Sequence, residues 1–184
     1  MQDIQPILLR AQRGDRRALN ELVERCHRRV FNTAYKYFSD AELAEEMTQQ
    51  AFVTLQEKLP QLRDPATFRT WLYRIVTNQC HEYVRKRKTR RTYENQFGFM
   101  QSTSAPLTPA KLYEQDERAR LVHAALQQLP DNQREVIILK EYEGLKFREI
   151  AELLNESENT VKSRMYYGLK ALRRMESLQQ QRFF

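Results

Sequence analysis

Residues 147–169 have the sequence FREIAELLNESENTVKSRMYYGL, and its spacing predicts a helix-turn-helix. The first helix would carry four apolar side chains on one face: Phe147, Ile150, Ala151 and Leu154. Ser157 is a suitable N-cap for a second helix. That helix would carry an apolar stripe of its own: Val161, Met165 and Leu169. The two stripes predict one small core shared by both helices.

The second helix of this motif keeps a set of polar and aromatic side chains off its apolar stripe. They are Asn159, Lys162, Ser163, Tyr166 and Tyr167. Such side chains can contact phosphates or base edges in a major groove, which favours duplex DNA as the partner. A plain helical hairpin with a solvated outer face fits these residues equally well. Only the rest of the chain can distinguish between these two interpretations.

The composition predicts an all-α, basic protein. Four glycines and six prolines in 184 residues are too few for the frequent turns of a sheet fold. Thirty-one Lys and Arg against 24 Asp and Glu give a net charge of +7, so a polyanionic partner is expected, although acidic substrates or a membrane surface would also fit. No signal peptide or apolar span is present in the sequence, which predicts a cytoplasmic protein without membrane contact of its own.

Helical periodicity divides the chain into two small domains, 1–90 and 112–184, with a flexible linker at 91–111. In the first domain the pattern predicts a helix capped by Asp15, an apolar stretch from Val30 to Phe38, and helices over 41–58 and 68–88. In the second domain Gly144 fits a helix C-cap just before the helix-turn-helix.

The two cysteines do not predict a metal site or a disulfide framework. Cys26 and Cys80 each precede a histidine, but Cys26 continues an apolar helical stripe with Leu19, Leu22 and Val23, which favours the core. The sequence also contains no Gly-rich phosphate loop, no metal-ligand spacing and no nucleophile–base pattern. We therefore expect no catalytic residues, no metal and no cofactor.

The helix over 41–58 has a segregated acidic face. Glu42, Glu45, Glu46 and Gln49 recur at helical spacing, and no Lys or Arg occurs between Asp40 and Glu57. Carboxylates three and four residues apart repel each other by a few tenths of a kcal/mol, about 0.2–0.5 per pair, which a cationic partner would relieve. A solvated acidic face is the alternative, but in a basic protein the segregation favours a protein-binding surface.

The helix over 68–88 has an aromatic and basic face. At 100° per residue, one narrow sector contains Trp71, Arg74, Asn78, His81 and Arg85. The helix then enters a run with six cations in seven positions, 85–91, which suits phosphate contacts. Trp71 can stack on unpaired bases, although an ordinary core tryptophan is the alternative.

Taken in order, four segments resemble the extracytoplasmic-function (ECF) group of bacterial sigma factors. The segments are Asp40-Ala41-Glu42 to Phe52, Phe68-Arg69-Thr70-Trp71-Leu72-Tyr73-Arg74-Ile75 to Asn78, Leu129-Pro130 to Val136, and Glu143-Gly144-Leu145 to Arg164. The resemblance implies a dissociable subunit of RNA polymerase that directs the core enzyme to promoters and helps to open them. It also implies two helical domains, those of sigma regions 2 and 4.

The resemblance implies a role for three sets of residues. Core RNA polymerase, through the coiled coil of its largest subunit, would bind Asp40, Glu42, Glu46, Gln49, Gln50 and Phe52. The melted −10 element would bind Arg63, Phe68, Trp71, Arg74, Asn78, Arg85 and Arg87. The duplex −35 element would bind Asn159, Thr160, Lys162, Ser163, Arg164, Tyr166 and Tyr167. Family members are also commonly inhibited by an anti-sigma factor, so such a partner is expected here.

Several positions depart from the usual pattern of that family. Gln50 stands where Glu is common, Glu82 where Asp is usual, and Lys146 replaces a Ser or Thr cap. Asn159 and Tyr167 replace a common glycine and a common basic residue, which leaves the −35 sequence preference open.

Two other classes of protein compete with a sigma factor. A two-domain helix-turn-helix regulator that binds duplex DNA without polymerase would explain the second domain, but not the acidic face or the Trp71 face. A helical nuclease or nucleotide-processing enzyme would need catalytic side chains that the sequence does not contain.

Overall fold

The computed structural model describes residues 4–97 and 117–181, which form eight α-helices and no strand. The helices are α1 (Gln5–Gln12), α2 (Arg16–Phe38), α3 (Ala41–Lys58), α4 (Phe68–Phe97), α5 (Glu117–Gln127), α6 (Asp131–Ile137), α7 (Phe147–Leu154) and α8 (Glu158–Gln181). The all-α prediction is confirmed. None of these helices is both long and apolar enough to cross a bilayer.

Helices α1 to α4 surround the first of two apolar cores. Asp15 caps α2, accepting a hydrogen bond from the backbone N–H of Ala18 at 3.1 Å, as its sequence position predicted. The predicted capped helix and the stretch up to Phe38 form one continuous helix, which ends at Ser39 in a left-handed conformation (φ 52°). Asp40 then caps α3, accepting from the N–H of Leu43 at 3.0 Å.

Apolar side chains from α2, α3 and α4 fill this first core. Leu22, Val30, Leu55 and Val76 are fully buried, and Met47 is nearly so. Both cysteines also lie in this core, which confirms the prediction for Cys26. Burial raises the pKa of the Cys26 thiol to about 11 and raises that of Cys80 as well, so neither is a reactive thiolate near neutral pH.

Helix α4 is longer than the sequence pattern indicated. It continues to Phe97, so the prediction of a helix end near Lys88 is wrong. The reason is local propensity: no Gly or Pro interrupts the chain between Phe68 and Gly98, and Arg and Lys are good helix formers even without an apolar stripe. The rest of the predicted linker lies outside the described residues.

Helices α6, α7 and α8 enclose the second core. A short π-helical turn (Ile138–Tyr142) follows α6, and Gly144 at φ +62° then redirects the chain into α7. Asn155 ends α7 in a left-handed conformation, and the Ser157 hydroxyl accepts from the N–H of Thr160 at 3.0 Å. The helix-turn-helix and its predicted Ser157 cap are thereby confirmed.

Helices α6 and α8 approach closely at Gly168, which gives the second core a testable constraint. A Cβ at this position would lie 2.8 Å from Cδ1 of Ile137 and 3.4 Å from Cβ of Gln133. Ile137 is itself buried and has little room to move. We expect Gly168→Val to lower the free energy of unfolding by about 1–3 kcal/mol through overpacking.

Urea denaturation followed by circular dichroism measures this effect. Lys170→Val, an exposed site on the same helix, is the matched control and should change the unfolding free energy by no more than about 0.5 kcal/mol. Val is a better helix former than Gly, so a Gly168→Val variant as stable as the wild type would contradict the close packing of α6 and α8 at this position.

Candidate protein and nucleic-acid interfaces

The acidic face of α3 carries Glu42, Glu46 and Gln49, which are exposed, and Glu45, which is half-buried; the exposed Gln50 adjoins it. Two side-chain hydrogen bonds order it: the Gln50 amide donates to Glu46 at 3.0 Å, and Gln49 donates to Glu45 at 3.3 Å. Within residues 4–90 and 120–175, neither Glu42 nor Glu46 forms an ion pair with a cationic side chain. The face therefore offers free carboxylates to a cationic partner.

Apolar side chains adjoin this acidic face. Phe52 is half-buried and stacks on His27, with ring centroids 6.0 Å apart. Val53 is 58% exposed and follows Gln49 and Gln50 by four and three residues, so it shares their side of the helix. The sequence pattern did not single out Val53, which lies outside the buried positions of α3 at Leu43, Met47, Ala51 and Leu55. Exposed apolar area beside unpaired charge is typical of a protein-binding surface.

The loop that leads into α4 is fixed at both ends. Leu62 and Phe68 are buried, whereas Arg63 between them is exposed. The Gln12 side chain in α1 donates to the carbonyl oxygens of Leu62 at 2.6 Å and Leu59 at 3.2 Å. These contacts give the loop a defined shape, and the sequence contained no signal for the role of Gln12.

The α4 face comprises Trp71, Arg74, Asn78, His81 and Arg85, and all of them lie on the surface side of the helix. The neighbouring side of the helix, with Leu72, Ile75 and Val76, is buried in the first core. Trp71 is half-buried and packs against Phe68, with ring centroids 6.1 Å apart. Phe68 is 2% exposed, so its ring supports Trp71 and does not itself offer a surface to DNA. Farther along α4, Arg87 is exposed.

Two side chains of the α4 face contact the second domain. Arg74 Nη2 donates to the carbonyl oxygen of Glu152 in α7 at 2.9 Å. His81 Nε2 lies 3.0 and 3.1 Å from the two carboxylate oxygens of Glu135 in α6. The sequence predicted that these residues share a face, but it gave no indication that another part of the chain contacts it.

Two carboxylates of the second domain are buried against α2 and α4. Glu143 is 8% exposed, and its Oε1 accepts from the Thr33 hydroxyl at 2.8 Å while Oε2 accepts from the Tyr73 hydroxyl. Glu135 is 3% exposed and faces His81 and Tyr37. Burial together with these carboxylates raises the pKa of both tyrosines, so both hydroxyls remain protonated donors.

The His81–Glu135 contact makes the domain contact dependent on pH. Hydrogen bonding to Glu135, reinforced by the charges of Glu135 and Asp131, raises the pKa of His81 against an opposing effect of burial. Tyr37, on α2, is the other titratable group in contact with the ring. The pKa of His81 is higher with the Glu135 contact than without it. The contact therefore stabilises the packing of the two domains fully at pH values below 6.5, the ordinary pKa of histidine, and this stabilisation is lost as pH rises through the raised pKa.

An NMR titration of the three histidines measures this coupling. We expect the His81 pKa to lie above 6.5 in the wild-type protein and to fall in Glu135→Gln. An unchanged His81 pKa in the variant would contradict the contact.

The outer face of α8 comprises Asn159, Lys162, Ser163, Tyr166 and Tyr167, all exposed. Tyr166 and Tyr167 are 62% and 57% exposed, and their rings meet edge to face with centroids 5.4 Å apart. Thr160 and Arg164 are half-buried beside this face: the first pairs with Ser157 in the cap, and the second forms an ion pair with Glu156. Lys162 forms an ion pair with Glu158 at 2.6 Å, one helical turn away.

These ion pairs on α8 limit the free positive charge of its outer face. Both lie at least partly at the surface, where such pairs contribute about 0–1 kcal/mol, so a phosphate can displace the glutamate at little cost. Tyr166 and Tyr167 are then the largest exposed side chains of this face that form no ion pair. Their rings are suited to apolar contact with thymine methyl groups and their hydroxyls to hydrogen bonds.

Family models match both halves of the chain. The model for sigma-70 region 2 matches residues 22–90, and the model for sigma-70, region 4, matches residues 119–172. The first match contains the acidic face of α3 and the α4 face, and the second contains the helix-turn-helix.

Curated relatives cover most of this chain. RNA polymerase sigma factor SigV of Bacillus subtilis is 30% identical over 143 residues, covering 78% of this chain and 81% of the relative. RNA polymerase sigma-H factor of Pseudomonas aeruginosa is 29% identical, and the ECF RNA polymerase sigma-E factor of Escherichia coli K12 is 28% identical, each over 179 residues and 91% of both chains.

Solved structures share the fold. CnrH, determined in complex with the cytosolic domain of CnrY, aligns with a TM-score of 0.67 at 23% identity over 95% of this chain and 97% of its own. The sigma factor RpoE, determined with the anti-sigma factor NepR from Bartonella quintana, aligns with a TM-score of 0.67 at 22% identity over 86% and 96%.

Proposed function

The chain belongs to the RNA polymerase sigma factors of the sigma-70 family, in the extracytoplasmic-function group, and we propose that each of its exposed faces performs one step of promoter recognition. As a sigma factor, it binds core RNA polymerase, recognises the −35 and −10 elements and promotes DNA melting. The observation that supports a division among faces is that one chain presents three chemically different surfaces: acidic, aromatic–basic, and helix-turn-helix.

The acidic face of α3 is proposed to bind core polymerase. Free carboxylates at Glu42 and Glu46 beside the exposed Val53 suit a basic helical partner with some apolar area. Gln49 and Gln50 add hydrogen-bonding groups to the same surface. Asp40 contributes indirectly, since its side chain caps α3, and Phe52 supports the edge of the face through its contact with His27.

The α4 face and the adjoining loop are proposed to bind the melted −10 element. Trp71 offers a ring for base stacking, and Arg74, Arg85 and Arg87 offer cations for phosphates. Asn78 can hydrogen-bond to a base that is flipped out of the stack. Arg63, which is exposed on the loop that leads into α4, offers a further cation for phosphates. Phe68 is assigned a supporting role beneath Trp71.

The outer face of α8 is proposed to read the −35 element in the major groove of duplex DNA. Lys162 and Ser163 suit phosphates or base edges, and Tyr166 and Tyr167 suit apolar base contacts. Asn159 lies in the first turn of the helix, where the recognition helices of such motifs contact DNA. Thr160 and Arg164 position this turn through the Ser157 cap and the ion pair with Glu156.

We assign this protein no catalytic step of its own, because nucleotide addition belongs to the polymerase that it directs. Its place of action is then the cytoplasm, where core polymerase and the chromosome are found. We also propose an anti-sigma factor as a partner, consistent with its family. The domain boundaries near residues 90 and 112 stay a proposal as well.

Titration of the fluorescently labelled protein with bacterial core RNA polymerase tests this function. We expect saturable binding that weakens with salt, because the α3 contact is electrostatic. The alternative, a helix-turn-helix regulator, predicts sequence-specific binding of duplex DNA by the protein alone and no binding of core polymerase. Duplex binding by the protein alone, together with no binding of core polymerase, would overturn the proposal.

A further inference from the structure

We propose that a cluster of arginines between α1 and α2 binds the phosphates of the melted DNA strand immediately downstream of the −10 element. The cluster, called the basic corner below, consists of Arg13, Arg16 and Arg17. This inference rests on the proposed function, because it takes the α4 face and the adjoining loop as the surface that binds the −10 element. None of the three arginines belongs to a contact proposed above.

Positive charge is concentrated at the basic corner. Eight consecutive residues, starting at Arg10, contain four arginines and a single carboxylate, that of Asp15. Nε and Nη2 of Arg10 both donate to Oδ2 of Asp15, at 2.9 and 2.6 Å, so this carboxylate is already paired. Arg13, Arg16 and Arg17 are exposed, and none of them forms an ion pair within the part of the chain whose side chains are described. The corner therefore offers three cations to an anionic partner.

The positions of Arg16 and Arg17 oppose the stability of α2. They are the first two residues of the helix, whose N-terminal end is the positive pole of its dipole, and the first turn contains no acidic residue. Asp15 accepts from the backbone N–H groups of Arg17 and Ala18, so the anion-binding groups of this corner are its guanidinium groups. Local rules of this kind are broken most often at functional sites.

A fixed contact joins the basic corner to the loop that leads into α4. The Gln12 side chain donates to the carbonyl oxygens of Leu62 at 2.6 Å and Leu59 at 3.2 Å. Arg13 follows Gln12 in the chain, and the exposed Arg63 follows Leu62, so the backbones of the two arginines lie next to the same contact. The basic corner therefore continues the positive surface that begins at Arg63.

Backbone hydrogen bonds hold the basic corner in one shape. The N–H of Gly14 donates to the carbonyl oxygen of Ala11 at 3.0 Å, and that of Asp15 donates to the carbonyl oxygen of Arg10 at 3.2 Å. Gly14 adopts a φ of +89°, which side chains with a Cβ rarely allow. The arginines thus project from a preorganised turn, which lowers the entropic cost of binding a strand.

The position of the basic corner in the fold assigns it to the downstream side of the −10 element. The second domain, proposed to read the upstream −35 element, follows the C-terminal end of α4, whereas the corner adjoins the loop at its N-terminal end. The cationic run of α4 starts at Arg85, 14 residues after Trp71, or about 21 Å along the helix at ~1.5 Å per residue. A strand with one base stacked on Trp71 would therefore meet cations on both sides. Charge complementarity and continuity with Arg63 favour this strand over an acidic protein as the occupant.

Binding of oligonucleotides to the holoenzyme, formed from core polymerase and the full-length protein, tests this inference. The oligonucleotides are copied from the non-template strand of a promoter that the protein activates, and the first covers the −10 element alone. A second adds about six abasic nucleotides at the 3′ end, which supply downstream phosphates without bases. A third has the same extension with neutral methylphosphonates in place of the phosphates.

Two triple variants with the same change in net charge are compared. The basic corner is removed by combining Arg13→Gln, Arg16→Gln and Arg17→Gln. The matched control removes three exposed cations of the second domain: Arg148→Gln, Lys170→Gln and Arg173→Gln. The corner variant should unfold at the temperature of the wild type or above it, because it relieves the unfavourable charges at the N-terminus of α2.

We expect the abasic extension to raise the affinity of the wild-type and control holoenzymes about tenfold, because it adds phosphate contacts. The gain should be absent with the methylphosphonate extension and absent in the corner variant. All three holoenzymes should bind the −10 oligonucleotide equally. For the extended oligonucleotide, the slope of log affinity against log salt should be about 2 units less steep in the corner variant, since each single-strand phosphate contact contributes about 0.7.

The possible failures are distinguishable. An equal gain from the abasic extension in the wild type and the corner variant overturns the inference and leaves the −10 surface intact, and an acidic protein would then be the better partner for the corner. Equal losses in the corner and control variants would attribute the effect to net charge and also overturn it. If even the wild-type holoenzyme does not bind the −10 oligonucleotide, the proposed function of the α4 face fails, and the inference fails with it.

Discussion

Glu46→Lys is expected to abolish measurable transcription, because it places a cation where the proposed core contact requires an anion. Glu46 is exposed on the acidic face of α3 and makes no ion pair with a described cation, so its carboxylate is available. Charge reversal removes one favourable pair and introduces a repulsive one, which at a desolvated interface costs several kcal/mol. Affinity for core polymerase should fall by about a hundredfold, or about 2.7 kcal/mol.

Fluorescence titration with core polymerase measures this loss. Glu24→Lys, an exposed site on α2, introduces the same change in net charge away from the acidic face and should bind core polymerase like the wild type. Both variants should unfold at the same temperature. Equal weakening by the two substitutions would mean that net charge, and not the α3 face, controls the affinity.

Trp71→Ala is expected to impair promoter opening while core binding is retained. Stacking of a base on an aromatic side chain contributes about 1–3 kcal/mol, so the open complex should form about five- to 150-fold less favourably. Permanganate footprinting of unpaired thymines at the −10 element measures the fraction of open complex.

Trp71 also packs on Phe68, so a loss of stability must be separated from a loss of stacking. Trp71→Phe keeps an aromatic ring and should retain most of the opening activity. The Ala variant should still bind core polymerase with wild-type affinity. Normal opening by Trp71→Ala would remove Trp71 from the proposed DNA surface.

Much of the local structure could be predicted because it depends on local spacing. The Asp15 and Ser157 caps, the α3 limits and the two faces of α4 all follow from side-chain type and a period of 3.6 residues. The far end of α4 was misjudged because the pattern lost its apolar stripe there, although helix propensity persisted.

The contact between the domains could not be predicted from the sequence. Glu135 and Glu143 look like ordinary surface residues, and only partners 54 and 110 residues away in the chain make their burial tolerable. The role of Gln12 is hidden in the same way, since the carbonyl oxygens that it contacts lie 47 and 50 residues further along. Periodicity gives the face on which a residue lies but not the element that covers it.

Transcription of a genomic fragment library by bacterial core RNA polymerase, with and without this protein, tests the central claim most directly. A sigma factor predicts new start sites that appear only when the protein is added and that share one pair of upstream motifs with a fixed spacing. Unchanged transcription in the presence of the correctly folded protein would contradict the account.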